Sequence, residues 1–198
     1  MFSWTTTRLH RRVLPGLILG MILSAAVQAD PPQKTPQEVK HQVTGLFCPE
    51  RVDDLKLAAT RLEGIELVRV DYETAEAVFR YDPVRTFPNA PPEKIIEQLD
   101  ERIRNASRST FGIKPLCATP RDQLTLIEIP VVGLDCKACS LAAYESIFKL
   151  PGVEQATASL RDGLVTARVH ATQTDQKTLE QALTQRGVTL RNPPAPSP

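Results

Sequence analysis

The chain has 198 residues, 41% of them hydrophobic, and a formal net charge of +1, enough for one medium domain or two small ones with folded cores. Arg8, Arg11 and Arg12 lie in a leader without acids, and taking their three charges from +1 leaves the rest of the chain near −2. So even a balance gives no electrostatic footprint for nucleic acid, and that class of partner is excluded.

Residues 1–29 read as a secretory signal peptide. The three arginines precede an apolar core, Val13 to Leu23, and Val27-Gln28-Ala29 offers small residues for cleavage. The apolar run falls short of the roughly 20 residues that a membrane span needs, and Pro15 and Gly16 interrupt it. Cleavage after Ala29 makes Asp30 the mature N-terminus and puts the protein in a periplasm or outside the cell. Residues 30–35 open a stretch rich in Pro, Gln and Lys and read as a flexible arm.

Residues 36–117 read as a first domain. Val39 to Leu46 alternates loosely, as a strand does. Leu55, Ala59 and Leu62 stand four and three apart and Gly64 follows, the pattern of an apolar helical stripe ended by glycine. Glu66 to Asp71 and Glu76 to Asp82 alternate as strands, joined by Tyr72 to Ala75. Pro83 to Pro92 reads as a long loop. Glu93 to Ile103 carries a second helical stripe through Ile96, Leu99 and Ile103, and Thr110 to Leu116 reads as a last strand. Residues 118–122, with Pro120, form a short linker that limits relative motion.

Residues 123–192 read as a second domain with the same element order. Leu124 to Val132 is a strand, Ser140 to Leu150 a helix, and Val153 to Leu160 and Leu164 to His170 a hairpin turned at Arg161-Asp162-Gly163. Asp175 to Arg186 is a helix ended by Gly187, and Val188 to Leu190 a brief strand; residues 193–198 read as a disordered tail. The two domains echo each other. Gly45-Leu46-Phe47-Cys48 returns 88 residues later as Gly133-Leu134-Asp135-Cys136. At the same offset Leu55, Ala59, Leu62, Gly64 and Ile65 match Ala143, Ile147, Leu150, Gly152 and Val153. This internal repeat predicts an α+β chain of two tandem βαββαβ domains, each an antiparallel sheet with both helices on one face.

Chemistry concentrates at Cys136-Lys137-Ala138-Cys139. The spacing lets both sulfurs face one point, with Cys139 in the first turn of a helix whose unpaired N–H groups favour thiolate. Such a pair holds a soft metal ion or closes into a disulfide, and spacing alone does not choose. Asp135 puts a carboxylate beside the thiols, which predicts raised thiol pKa values; it is a weak oxygen donor or, more simply, a turn residue. Lys137 is expected to face solvent. In the first domain Arg51 stands where Cys139 stands in the second, so two-thiolate binding within that domain is impossible. Cys48 then reads as a small buried hydrophobe, as a third ligand to the other domain's metal, or as a disulfide partner of Cys117. The topology puts Cys48 and Cys117 at opposite ends of the first sheet and argues against that pairing.

Gly133 to Cys139 resembles the GMTCxxC motif of the heavy-metal-associated (HMA) domain family, with Leu134 for the usual Met and Asp135 for Thr or Ser. Ala143, Ile147, Leu150, Pro151, Gly152 and Val153 fall where that family has its helix core and Pro-Gly-Val turn. Ala75 to Pro83 resembles its A-x-V-x-Y-D-P run. The resemblance implies ferredoxin-like domains, with Cys136 and Cys139 binding Cu(I), or alternatively Hg(II) or Zn(II), for transfer to or from a membrane metal transporter or metallochaperone. The family often has Tyr, Phe or Lys in the loop near the metal, where this chain has Gly187-Val188, which implies a more open site.

No catalytic constellation appears: there is no Ser-His-Asp arrangement, phosphate loop or HExxH. His41 and His170 read as exposed strand residues rather than ligands, and His10 belongs to the leader. The rival reading is a thiol-redox or protein-interaction module on the same scaffold.

Overall fold

The computed structural model describes residues 35–191. The signal peptide, nearly all of the arm and the tail expected from the sequence lie outside the described residues.

Two tandem ferredoxin-like βαββαβ units make up the described chain. In the first, β1 (Gln37–Thr44) leads to α1 (Arg51–Ala59), then β2 (Ile65–Asp71) and β3 (Glu76–Tyr81). A four-residue helix, α2 (Pro83–Thr86), precedes the long helix α3 (Ile95–Ala106) and the edge strand β4 (Gly112–Lys114). The antiparallel sheet runs in the order β2-β3-β1-β4. In the second unit β5 (Thr125–Val132), α4 (Lys137–Phe148), β6 (Val153–Ser159), β7 (Leu164–Val169), α5 (Gln176–Gln185) and β8 (Thr189–Leu190) repeat the plan, with sheet order β6-β7-β5-β8.

Alternation decides which face of each sheet is covered. Along β3, Ala77, Phe79 and Tyr81 point inward; along β7, Val165, Ala167 and Val169 do. The helices meet them with Leu55, Leu99 and Ile103 in the first unit and with Ala143, Ile147, Leu179 and Leu183 in the second. Each large side chain fully buried in this way contributes about 1.5–3 kcal/mol relative to exposure.

Three local differences from the sequence reading have plain causes. The strand expected to reach Leu46 stops at Thr44, because Gly45 turns the chain with φ +90°. Pro83 to Pro92 is a folded segment rather than an open loop. The Asp82 carboxylate accepts from the N–H groups of Val84 (3.0 Å) and Arg85 (3.3 Å), and Pro83 opens the helix, so α2 forms. Phe87 then enters the core edge-on to Tyr81, with the Arg102 guanidinium 4.7 Å above its ring centroid. Finally, α4 begins at Lys137, earlier than the apolar stripe suggested, because Cys136 caps it.

Candidate metal centre

Leu134, buried in the second core, pins the loop between β5 and α4, and Gly133 bends it with φ +81°. Cys136 is the N-cap residue of α4: its sulfur accepts from the Cys139 N–H at 3.2 Å. The two Sγ atoms lie 2.6 Å apart, with Cys136 exposed and Cys139 half-buried in the first helical turn. The Cys139 thiol and backbone N–H both face the Cys136 sulfur and bring its pKa below the ordinary thiol value. Cys139 is shifted up, first by its hydrogen bond to the Cys136 sulfur and then by burial. Asp135 pushes the Cys136 thiol upward only as the smallest contribution, so the general rise expected from that carboxylate does not occur at Cys136. Nor does Asp135 join the two thiols in a set of three metal donors. Lys137 is exposed as expected, and Gly187 has open space around it.

The matching loop of the first unit is a different object. The Arg51 guanidinium takes the place of the second thiol and lies between two rings, 5.3 Å from the Phe47 centroid and 4.9 Å from that of Phe111. It also pairs with Asp54. Where the second unit presents two thiols, the first holds its own cation. Phe47 and Cys48 are buried, and they pack into the core of the second unit rather than their own. The Phe47 carbonyl accepts from the Ala158 N–H at 2.8 Å, so the degenerate loop docks on β6. The Gly45 N–H donates to the Tyr144 hydroxyl at 2.9 Å. Burial, and then the Glu50 carboxylate, push the Cys48 thiol up to about 11. Of the roles open to Cys48 in the sequence, the small buried hydrophobe is the one observed; all four cysteines are free.

Both histidine expectations need correction. His41 is buried, 6.2 Å from the Phe79 ring centroid, and burial lowers its pKa. His170 is half-buried at the end of β7, its Nε2 3.2 Å from Glu154 Oε1. Cys117 joins these two groups, and the three donor atoms lie within 4.8 Å of one another. Sequence spacing gave no sign of this set, since its members are 37 and 16 residues apart. The mixed Cys, Glu and His composition was the one available clue.

No family model matches the chain. Copper-transporting ATPase 2 of Homo sapiens is 24% identical over 74% of this chain, and the match spans only 11% of that protein's length. Among solved structures, the CopZ metallochaperone is 19% identical, with 34% of this chain and 100% of that chain covered and a TM-score of 0.33. The N-terminal soluble domains of Bacillus subtilis CopA are also 19% identical, covering 80% of this chain and 95% of theirs, with a TM-score of 0.33. Among the described residues, the chain carries the paired cysteines in its second unit alone.

Proposed function

We propose that this protein binds a thiophilic metal ion through Cys136 and Cys139 and hands it to a partner, and that it does so in the periplasm or outside the cell. The domain limits we propose are 36–117 and 123–192, joined by 118–122. The observation that carries the reading is the pair of converging sulfurs at the start of α4, one of them exposed and shifted toward thiolate. Soft sulfur ligands favour Cu(I) and Hg(II) over hard ions, and Cu(I) is the preferred cargo, with Hg(II) or Zn(II) as alternatives. Two thiolates carry −2, so Cu(I) leaves −1 on the complex and a divalent ion leaves none. Two ligands on a surface turn are fewer than the four of a closed structural zinc site. A partner's thiol therefore enters as a third ligand, and the ion passes on without being released to water. A membrane metal transporter or a metallochaperone is the partner of this kind; the similarity to a copper-transporting ATPase agrees with it. The first unit acts as a rigid mount, since its own loop is committed to docking.

The test is Cu(I) stoichiometry of the reduced protein beside Cys136→Ser and Cys139→Ser, with X-ray absorption at the bound metal. One ion per chain in sulfur coordination, lost in either variant, is the expected result. Retained affinity in both variants, or a first shell without sulfur, ends the proposal. A second reading draws on the same lowered Cys136 thiol: reversible closure of a Cys136–Cys139 disulfide. Equilibration in glutathione redox buffers separates the two, because a carrier of Cu(I) retains its dithiol in the metal-bound form and shows no exchange activity toward a protein substrate.

A further inference from the structure

Away from the paired thiols, three side chains converge at the seam between the units. Cys117 lies in the segment that follows β4, Glu154 in β6 and His170 just beyond β7. Their donor atoms fall within 4.8 Å of one another, and all three residues are half-buried. Glu154 is aimed there by a β-bulge. Val153 pairs with Val169 and Gln155 with Arg168, which leaves Glu154 as the extra residue. The His170 N–H donates to the Gly152 carbonyl at 2.8 Å and fixes the backbone that carries the imidazole. On the far side, Lys114 Nζ lies 3.1 Å from Glu154 Oε2, and it also donates to the Glu154 carbonyl at 3.1 Å. Gln42 Nε2 donates to that same carbonyl at 3.0 Å. Oε1 is thus the oxygen turned toward His170.

We propose that Cys117, Glu154 and His170 form a second metal site, for a borderline divalent ion of the Zn(II) class. Sulfur, imidazole nitrogen and carboxylate oxygen are the donor types that zinc accepts in its tetrahedral sites. Ligand bonds of 2.0–2.2 Å place two light donors of a tetrahedron about 3.3 Å apart. The separation of His170 Nε2 and Glu154 Oε1, 3.2 Å, already matches that edge. A soft Cu(I) ion prefers the all-sulfur pair at Cys136 and Cys139, while Mg²⁺ and Ca²⁺ require oxygen shells that this set lacks. Water or a partner's side chain completes the fourth position.

The consequence is mechanical. Cys117 closes the first unit, Glu154 and His170 belong to the second, and Gln42 and Lys114 of the first already grip the Glu154 carbonyl. An ion held by the three donors clips that joint closed and raises the stability of the docked pair by mass action.

The experiment uses the full chain without an affinity tag, reduced, carrying Cys136→Ser and Cys139→Ser so that the paired thiols contribute nothing. Co(II) is titrated as a spectroscopic probe and then displaced with Zn(II). The expected result is one Co(II) per chain, with a thiolate-to-metal charge-transfer band and the intense visible bands of a four-coordinate ion, both removed by Zn(II). Adding Cys117→Ser abolishes the charge-transfer band, and His170→Ala or Glu154→Gln weakens binding at least about tenfold. Circular dichroism verifies that each variant is folded, and Glu154→Gln, nearly isosteric, keeps the test sound should Cys117→Ser unfold the chain. No charge-transfer band at stoichiometric Co(II), or a band that survives Cys117→Ser in folded protein, overturns the site. Either failure leaves the reading of Cys136 and Cys139 standing, because those thiols are absent from the experiment.

Discussion

The hydroxyl of Tyr144, on α4 of the second unit, accepts the backbone N–H of Gly45, in the first, at 2.9 Å and out of contact with water. The ring of Tyr144 also packs against Phe47, with centroids 5.7 Å apart. One side chain thus fixes the tip of the degenerate loop and covers part of its apolar surface. Burial raises the phenol's pKa and keeps it protonated, against a smaller lowering by the Gly45 N–H that donates to its oxygen. Tyr144→Phe keeps the ring and strands the Gly45 N–H. The expected loss of stability is about 1–3 kcal/mol, read as a lower urea midpoint. An unchanged midpoint shows that water replaces the hydroxyl and that the seam is looser than described.

The two loop glycines are predicted to respond very differently to alanine. Both have positive φ, so each substitution strains the backbone by about 1 kcal/mol. At Gly133 an added Cβ meets nothing within 4 Å. At Gly45 it falls onto the Thr110 carbonyl oxygen, and the backbone must move. Gly133→Ala should therefore stay near the strain cost alone, whereas Gly45→Ala loses several-fold more and undocks the loop. Thermal melts of the two variants side by side give the comparison.

Thiol reactivity should rank by environment. At about pH 8 in native protein, iodoacetamide is expected to label Cys136 first and Cys139 more slowly, with Cys48 protected until unfolding. Cys48 also links stability to pH. Its folded value of about 11 lies above the ordinary 9.0, so the folded state holds the proton more tightly. That contribution is fully present below pH 9.0 and is lost as pH rises toward about 11. Cys48→Ala should flatten the alkaline limb of the stability profile. A profile identical to that of the parent protein rejects the assignment.

Restoring the missing thiol by Arg51→Cys is predicted not to restore a site. The substitution removes a guanidinium held between Phe47 and Phe111, which costs about 1–2 kcal/mol. Cys48 remains packed in the second unit's core. Cu(I) stoichiometry in competition with a chelator should not rise. A second tightly bound ion shows that the loop leaves its docked position easily.

The sequence by itself determined the repeat, the order of elements and the position of the paired thiols at a strand-to-helix turn. These follow from local physics: alternation along β3 and β7, stripes on α3 and α5, and glycines where the chain must turn. The absence of a second thiol at Arg51 was equally legible. Only the tertiary structure decided what the degenerate loop does. Its partners are about a hundred positions away, Gly45 with Tyr144 and Phe47 with Ala158, and no periodicity encodes a contact at that range. The same holds for His41, whose burial depends on how the sheet is covered, and for α2, which a single capping carboxylate creates inside a proline-rich stretch. Cys117, Glu154 and His170 meet because a one-residue bulge turns a glutamate toward the end of the first unit. Pattern reading fixes which face of a strand is covered, and a bulge breaks the pattern at the place where those three side chains come together.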